Sequence, residues 1–245
     1  MSQLTRRKLI TTALGATAGV SGIAVAAHLA GRHGLTPPEW HGIYGPGDTM
    51  TYAAQRLLTR HSMAREFSRD RISKAPFANE ISPLTEEFKR LQAGGFADWR
   101  LVIGGMVAHP TSLSLADLRS YPAGNQITHL ACEEGWSYVA EWIGAPLFRV
   151  LEAVGVHPQA KYVVYQSMEK GWTDSIDMAD ALHPQTLLAY GMNGGELPVG
   201  FGGPLRMRVP RQLGYKSVKF INRLTVTDAI KDLPPGGEYS WYAGI

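Results

Sequence analysis

The sequence predicts an α+β fold, a β-rich mixed single domain with a few short helices. Short runs of β-branched and aromatic residues recur along the chain between turns that contain glycine or proline, which is typical of strands. Few segments show helical periodicity, and the chain contains no internal repeat and no low-complexity linker. With 245 residues, 44% of them hydrophobic and 18% charged, the chain has the composition of a globular protein with a substantial core.

Four segments have β-type residues with turn residues at their ends, and each is predicted to form a strand: "WRLVIGGMV" (99–107), 125–132, "KYVVYQS" (161–167) and "SVKFINRLTVTD" (217–228). Gly104–Gly105, inside the first of them, predicts a sharp bend or a hairpin. The second segment places Cys132 at the end of a strand.

Two later segments predict further β structure. The run "LLAYGMNGGELPV" (187–199) is typical of a hairpin with Asn193–Gly194 at its turn. In "PLRMRVP" (204–210), apolar residues alternate with Arg206 and Arg208. One face of this strand is therefore expected to be apolar, and the other to carry guanidinium groups.

Three segments predict helices or turns: "SLSLADLRSYP" (112–122), "PLFRVLEAVGV" (146–156) and "SIDMADAL" (175–182). In the first, Ser112 or Ser114 is the expected N-cap. The second is the clearest helix of the chain. Pro146 suits a first helical turn, apolar residues fall on one face, and Gly155 ends the helix.

Residues 1–30 have the pattern of an export signal. Arg6–Arg7 precede an uncharged run from Leu9 to Ala27, and the small residues Ala24–Ala27 offer a cleavage site. The paired arginines resemble the twin-arginine signal, which is read by a receptor. An uncleaved membrane anchor is the alternative, because the run is long enough to span a bilayer. We therefore expect a periplasmic protein, anchored to the membrane if the signal is not cleaved.

The rest of the chain divides into an N-terminal extension and one domain. Residues 31–75 are polar and irregular in pattern, and we expect them to lie over the domain formed by residues 76–245. Without Arg6, Arg7 and Lys8, the 24 Lys+Arg fall to 21, which balances the 21 Asp+Glu. A neutral domain offers no electrostatic basis for binding nucleic acid.

Cys132 is the only cysteine in the chain. A lone cysteine in an oxidising compartment is a buried thiol, an intermolecular crosslink, a nucleophile or a metal ligand. A cysteine–histidine hydrolase would need a nearby base, for which His129, His157 and His183 are candidates. The sequence contains no Walker, Rossmann, G-x-S-x-G, H-E-x-x-H or C-x-x-C-H motif.

Two blocks of sequence resemble the sulfite-oxidase-type molybdenum-cofactor enzymes. The block "CEEGWSYVAEWIGAPLFRVL" (132–151) is similar to the family's cysteine segment, in which a short turn, a tryptophan and W-x-G-x-P-L follow the cysteine. The block "LLAYGMNGGELPVGFGGPLRMRVPRQLGYKSVKF" (187–220) is similar to the family's MNG…LP…G-x-P-L-R region. Both occur in the family's order and separation. The resemblance implies the family's molybdopterin-binding fold and points to its periplasmic branch, which includes methionine-sulfoxide reductases.

The resemblance implies a mononuclear Mo-molybdopterin cofactor with Cys132 as the protein ligand of the metal. One thiolate is sufficient, because the pterin dithiolene supplies the other sulfur ligands of a soft, sulfur-rich centre. Arg206 matches the family's cofactor-binding arginine. The turn formed by Ser217, Val218 and Lys219 matches its loop for the pterin and the phosphate, groups that bind guanidinium, ammonium and backbone N–H groups.

Three further positions match the family in shorter stretches of sequence. Ser167 lies where relatives place a hydroxyl or an acid against the pterin, and Asn79 resembles the asparagine of an early cofactor loop. Tyr239, near the C-terminus, is the candidate for the family's active-site tyrosine. Phe201 departs from the pattern, because relatives have His or Asn there to hydrogen-bond the cofactor.

The chain also departs from sulfite-oxidising relatives at Ala78 and Ser137, where those enzymes have arginine. An anionic substrate needs such guanidinium groups, so their absence favours a neutral S-oxide or N-oxide, such as a methionine-sulfoxide-like substrate. We therefore expect an oxygen-atom-transferring reductase. The chain lacks the cysteines of an iron–sulfur cluster, so its electrons would come from another protein. The family resemblance implies that this partner is a membrane cytochrome of the b type. The alternatives are a sulfite-type oxidase and a cofactor-free exported binding module.

Overall fold

The computed structural model describes residues 25, 28–30, 35, 45–59, 61–79, 83 and 85–229. The chain divides into two compact units, Met1–Thr59 and Arg60–Ile245. Helix α1 (Gly45–Thr59) belongs to the first unit. The expectation of an irregular segment is wrong for these residues, because "TMTYAAQRLL" is rich in residues of good helix propensity.

The described part of the second unit contains four helices, ten strands and three short 3₁₀ turns. The helices are α2 (Glu86–Ala93), α3 (Leu115–Ser120), α4 (Leu147–Val154) and α5 (Met178–Ala181). The strands are β1 (Leu101–Gly105), β2 (Thr111–Leu113), β3 (Gly124–Ala131), β4 (Ser137–Pro146), β5 (Tyr162–Ser167), β6 (Thr173–Asp177), β7 (Leu187–Met192), β8 (Gly195–Glu196), β9 (Arg206–Arg208) and β10 (Ile221–Thr227). The 3₁₀ turns are Arg69–Arg71, Val199–Phe201 and Gly214–Lys216.

The strands form two five-stranded sheets. The first has the order β2-β1-β10-β5-β6, in which β1 and β10 are parallel and the other neighbours antiparallel. The second is antiparallel, with the order β3-β4-β7-β8 and with β9 also paired to β7. The predicted α+β, β-rich fold is confirmed.

Local sequence signals place several of these elements as predicted. Ser114 caps α3: its Oγ accepts from the amide of Asp117 at 3.1 Å, and the Asp117 carboxylate accepts from the amide of Ser114 at 2.8 Å. Gly155 ends α4 in the left-handed conformation, with φ +68°. The β7–β8 hairpin turns at Asn193 (φ +51°) and Gly194 (φ +81°), as the Asn-Gly pair predicts.

Strand β4 is the main element that the sequence does not predict. It pairs with β3 from Ala131↔Ser137 to Gly124↔Gly144 and is also paired with β7. Gly144 allows this close approach, because a Cβ there would lie 2.3 Å from the carbonyl oxygen of Leu188. Most residues of β4 are buried, so the strand lacks the alternation that identifies a half-exposed strand.

Two clusters of buried apolar side chains form the core. The larger contains the apolar face of α4 together with side chains of both sheets. The smaller belongs to the antiparallel sheet and includes Leu130, Tyr138 and Trp142, with the half-buried Trp136 and Phe201 packed against it. This smaller cluster reaches the end of β3 that leads to Cys132, where Leu130 pairs with Tyr138.

Residues 61–73 run alongside the strands β3 and β4. The amide of Phe67 donates to the carbonyl oxygen of Ile127 at 2.9 Å, and the amide of Ser73 donates to that of Val139 at 3.0 Å. These bonds attach the segment to the antiparallel sheet before the chain reaches Asn79.

Most of the predicted export signal, residues 1–30, lies outside the described residues, as does Tyr239. Among the residues that the structure describes, no helix has both the length and the apolar character needed to cross a membrane.

Candidate functional site

Cys132 begins a tight turn that joins β3 to β4. Its amide donates to the carbonyl oxygen of Trp136 at 2.9 Å, and the amide of Gly135 donates to the Cys132 carbonyl at 3.1 Å. Gly135 has φ +93°, a conformation that glycine adopts at little cost. The turn therefore holds the half-buried thiol at the end of β3, where the sequence predicts it.

Two carboxylates contact the thiol. The Sγ atom of Cys132 donates to Oε2 of Glu133 at 3.3 Å and to Oε2 of Glu134 at 3.5 Å. Burial, together with these carboxylates, raises the pKa of the Cys132 thiol to about 12. A metal bound at this position would need the thiolate, so the thiol proton would have to leave its carboxylate partners.

The 3₁₀ turn Gly214–Lys216 packs directly against Cys132. A Cβ at Gly214 would lie 3.3 Å from the Cα of Cys132, so a side chain would crowd the backbone there. The amide of Tyr215 donates to Oε2 of Glu133 at 3.3 Å. The thiol is therefore bordered by the β3–β4 turn and by this second loop.

Aromatic rings line the same region. Trp136 stacks on Tyr138 with ring centroids 6.0 Å apart, and Tyr138 meets Phe201 edge-on at 5.7 Å. Phe77 lies 5.3 Å from Trp136, centroid to centroid, and remains about half exposed. Trp142 is fully buried behind Tyr138 at 6.2 Å. These rings form a continuous aromatic cluster that begins at Trp136, in the turn that carries the thiol.

Arg206 is buried in this region rather than solvated. Its Nε donates to the carbonyl oxygen of Ser217 at 2.8 Å, and its Nη1 donates to that of Phe201 at 3.0 Å. Its guanidinium carbon lies 5.5 Å from the ring centroid of Trp142. Burial lowers the pKa of Arg206, while the nearby side chains of Tyr138 and Cys132 act in the opposite direction.

Arg208 points from the same face of β9 and is completely buried. It donates to the Oγ1 of Thr128 at 3.1 Å, to the carbonyl oxygen of His129 at 2.6 Å and to the Oγ of Ser217 at 3.4 Å. Burial, and then the charge of Arg206, lower the pKa of Arg208 to about 9. Both faces of β9 are therefore buried, and its arginine face is not exposed to solvent.

The predicted pterin-loop residues Ser217, Val218 and Lys219 lie beside these arginines. The carbonyl oxygen of Val218 accepts from the amide of Met207 at 2.9 Å, which fixes the loop to β9. The ammonium group of Lys219 donates to the carbonyl oxygen of Gly200 at 2.9 Å. The structure thus brings Arg206 and the whole predicted loop together.

The remaining predicted residues are placed differently. Asn79 is exposed, and its side-chain amide lies 3.5 Å from the carboxylate of Glu134, so it borders the thiol turn. Ser167 is buried at the end of β5, paired with Ile221 just after the loop. Tyr239 lies outside the described residues.

The histidines named as candidate bases are engaged elsewhere. The hydrogen-bond partners of the Cys132 thiol are carboxylates. The Nε2 of the buried His183 lies 3.2 Å from the carbonyl oxygen of Ser62, and the exposed His157 accepts from a neighbouring amide. His129 packs its ring against Phe67. The described residues therefore do not form a cysteine–histidine pair.

Fold and site together define a class, the molybdopterin-binding oxidoreductases. Residues 90–233 match the family model described as "Oxidoreductase molybdopterin binding domain", and the chain belongs to that family. It is an enzyme of the oxidoreductase class, as the two sequence blocks predict.

Two curated relatives are similar to the chain over about two thirds of its length. The "Putative protein-methionine-sulfoxide reductase subunit YedZ1" of Azospira oryzae is 38% identical, over 65% of this chain and 60% of its own. The "Protein-methionine-sulfoxide reductase catalytic subunit MsrP" of Xanthomonas axonopodis pv. citri is 33% identical, over 66% of this chain and 56% of its own. The chain thus spans little more than half the length of these relatives.

A solved structure confirms the fold. The sulfane dehydrogenase SoxCD of Paracoccus pantotrophus superposes with a TM-score of 0.53 and 22% identity, over 69% of this chain and 46% of that one. At this level of identity the similarity concerns the fold alone.

The residues of the site fit a molybdopterin cofactor. Cys132 offers one soft sulfur ligand, which suits a sulfur-rich molybdenum centre. Arg206 and Arg208 are buried cations, and within the described part of the chain neither is paired with a carboxylate. A phosphate-bearing pterin supplies the anionic group that such cations favour.

Proposed function

We propose that the chain is an exported molybdenum-cofactor oxidoreductase that reduces a neutral S-oxide or N-oxide by oxygen-atom transfer. The observation that carries this proposal is the half-buried Cys132 thiol close to the buried Arg206, with Arg208 buried on the same face of β9. Among the described residues, neither arginine has a carboxylate partner. Such a site combines a metal ligand with a receptor for an anionic cofactor.

Each residue of the site has a defined part in this proposal. When bound, the cofactor supplies a redox-active molybdenum centre that exchanges an oxygen atom and two electrons with the substrate. Cys132 binds the metal through Sγ, and Arg206 with the loop of Ser217, Val218 and Lys219 binds the pterin and its phosphate. Asn79 and Ser167 lie at the two borders of this region. In the overall reduction, two electrons and two protons convert the sulfoxide to a thioether and water.

The charge around the thiol favours a neutral substrate. Glu133 and Glu134 place two carboxylates within 3.3 and 3.5 Å of Sγ, and these repel a dianion such as sulfite. The sequence has Ala78 and Ser137 where sulfite-oxidising relatives have arginine. Since two similar proteins are named as methionine-sulfoxide reductase subunits, methionine sulfoxide is the substrate that we propose.

Sequence features support a proposal for the source of the electrons and for the cellular location. The chain has one cysteine and no covalent haem motif, so it lacks the ligands for a cluster that would relay electrons. We therefore propose that electrons come from another protein, and the resemblance to the family suggests a membrane cytochrome b-type partner. The pattern of residues 1–30, which resembles a twin-arginine signal, supports the proposal that the protein is exported to the periplasm. If the purified protein turned over with soluble nicotinamide cofactors alone, the proposed partner would be wrong.

Elemental analysis and a dye assay test the proposal. The full chain is produced in a host that makes the cofactor, beside Cys132→Ala and Cys132→Ser. We expect near-stoichiometric molybdenum in the wild type and its loss in both variants. Cys132→Ser keeps the size of the side chain, so it separates the loss of sulfur from a packing defect. Reduced dye then serves as electron donor for methionine sulfoxide, dimethyl sulfoxide and trimethylamine N-oxide, beside a sulfite-to-ferricyanide assay.

The outcomes distinguish the candidate functions. Oxidation of the reduced dye by an S-oxide or N-oxide supports the proposal. Sulfite oxidation without any reductase activity would replace it with a sulfite-type oxidase. A native protein without molybdenum would instead favour a cofactor-free binding module on the same fold.

A further inference from the structure

Arg208 is a completely buried cation that connects three parts of the site. Its Nη2 donates both to the side chain of Thr128 at 3.1 Å and to the carbonyl oxygen of His129 at 2.6 Å, near the end of β3. Its Nη1 donates to the Oγ of Ser217 at 3.4 Å. All three acceptors are neutral, and the Nε of Arg208 is buried with no hydrogen-bond partner among the residues that the structure describes.

No carboxylate in the described part of the chain balances the charge of Arg208. Its nearest cationic neighbour on β9 is Arg206, and both guanidinium carbons lie about the same distance from the Trp142 ring centroid, 5.4 and 5.5 Å. The mutual repulsion of two buried cations is unfavourable. Within the described residues, neither forms an ion pair.

Other buried cations of the domain are balanced. Arg211 pairs with Asp180 at 2.8 Å, and Lys216 pairs with Asp174 at 2.6 Å. All four of these side chains are almost fully buried. At these two places a carboxylate compensates the buried positive charge. Arg208 differs because it has no such carboxylate among the described residues.

We propose that Arg208 is a positioning residue whose charge is balanced by the anionic cofactor and which thereby fixes the end of β3 that carries Cys132. The inference rests on the proposed function in that the chain must bind the cofactor. Arg208 acts through Thr128, His129 and Ser217, since its own polar atoms are buried. Binding of the cofactor then raises the free energy of unfolding of the domain. The increase is larger than the contacts of Arg206 and of the Ser217–Lys219 loop would give alone.

A purely structural role would not require the charge. A neutral side chain of the same length fills the same volume without the cost of a buried, unbalanced cation. Arg208 therefore destabilises the cofactor-free domain and stabilises the loaded one. The two states must be compared to detect this effect.

The experiment uses the full chain, produced in a host that makes molybdopterin and in one that lacks it. Wild type, Arg208→Met and Arg208→Lys are compared by molybdenum content and by the midpoint of thermal unfolding in the loaded and cofactor-free states. Arg211→Met is the matched control, because it removes a buried arginine that does have a carboxylate partner.

We expect the difference in midpoint between loaded and cofactor-free protein to shrink in Arg208→Met and to persist in Arg208→Lys. Molybdenum retained by Arg208→Met after dilution should fall about tenfold, the size expected when one buried charge near the anionic cofactor is removed. Cofactor-free Arg208→Met should unfold no earlier than cofactor-free wild type, whereas Arg211→Met should destabilise both states alike. An unchanged difference in Arg208→Met, or an equal loss in Arg208→Lys, would overturn the inference.

Hydrogen exchange of the wild type gives a second measurement, which needs no variant to fold. Loading should protect the amides of residues 127–132 and leave those of α5, beside the Arg211–Asp180 pair, unchanged. If loading protects neither segment or both equally, the inference is wrong. A wild type that takes up no molybdenum overturns the proposed function together with this inference, whereas a loaded wild type without the selective protection overturns the inference alone.

Discussion

Gly214 lies so close to Cys132 that a Cβ at position 214 would come within 3.3 Å of the Cys132 Cα. The same Cβ would lie 3.3 Å from the carbonyl oxygen of Ala131 and 3.3 Å from the side chain of Leu130. Two of these neighbours are backbone atoms at the end of β3, which cannot rotate away as a flexible side chain can. The position of the thiol therefore depends on the absence of a side chain at 214.

Gly214→Ala should displace Cys132 by a few tenths of an ångström and lower the molybdenum content several-fold. The stability cost should be only about 1–2 kcal/mol, typical of a small overpacked contact. Elemental analysis and urea unfolding measure the two effects. Gly104→Ala is the control, since a Cβ there meets nothing within 4 Å. Full molybdenum retention in Gly214→Ala would show that this contact does not set the position of the thiol.

The exposed Arg69 balances the negative charge of the buried Glu141 carboxylate. It donates to both oxygens of Glu141, at 2.6 and 3.2 Å, and the side chains are 70% and 1% exposed. Arg69→Ala leaves the carboxylate buried with Asn125 as its remaining side-chain donor. We expect a loss of about 2 kcal/mol in the free energy of unfolding, below the usual cost of breaking a fully buried pair because Arg69 is solvated.

A double-mutant cycle checks that loss. Arg69→Ala combined with Glu141→Gln should recover part of the stability, because no uncompensated charge then remains. The exposed pair of Arg90 and Asp98, 3.7 Å apart, provides the control: Arg90→Ala should cost about 0–1 kcal/mol. Equal losses in Arg69→Ala and Arg90→Ala would contradict the prediction.

Elements with local signals were predictable from the sequence. The capping residue Ser114, the left-handed Gly155 and the Asn193–Gly194 turn each fix a boundary through contacts within a few residues. Strand β4 has no such signal, because its burial depends on β3 on one side and β7 on the other. Its pattern of burial is set by tertiary contacts and not by alternation.

In the candidate site, too, the features set by local sequence were predictable and those set by tertiary contacts were not. The turn after β3 and the strand that precedes it place Cys132 as the sequence predicts. The alternation in 204–210 puts Arg206 and Arg208 on one face, but it gives no sign that this face is covered by Trp142, more than sixty residues away in the chain. Burial turns two ordinary strand arginines into unbalanced charges, and the importance of Arg208 is visible only in the fold.

His183 makes the stability of the protein depend on pH. Burial, and then the charge of Arg211, lower the pKa of His183 below its ordinary value of 6.5. The unfolded chain therefore binds a proton below about pH 6.5 that the folded chain does not, so the free energy of unfolding falls as the pH falls through this range. Burial and Arg208 lower the pKa of His129 as well, which adds an effect of the same sign.

His183→Gln should reduce the slope of stability against pH on the acid side without abolishing it, because His129 remains. Urea unfolding at a series of pH values between about 5 and 8 measures the slope directly. A variant with an unchanged or steeper slope would show that folding does not lower the pKa of His183. Gln can still donate to the carbonyl oxygen of Ser62, which keeps the local hydrogen bond.

Ser137 offers a way to change the charge preference of the site with one substitution. It is exposed at the start of β4 and pairs with Ala131, the residue before Cys132. Ser137→Arg would add a cation near the thiol, where Glu133 and Glu134 now place negative charge. An anion should then bind more tightly, while the binding of a neutral sulfoxide should change little.

Sulfate, a dianion that does not react, is the appropriate probe, because its inhibition constant does not depend on any sulfite chemistry. For Ser137→Arg we expect the inhibition constant of sulfate against the proposed reduction of methionine sulfoxide to fall about tenfold, corresponding to about 1.4 kcal/mol for one charge-assisted contact. The effect should weaken with added sodium chloride, because salt screens the new charge. Ser137→Gln adds a long polar side chain without charge and should leave the inhibition constant near the wild-type value. If Ser137→Gln changed sulfate inhibition as much as Ser137→Arg, the selectivity of the site would have to come from its shape, and the carboxylates beside Cys132 would not be its cause.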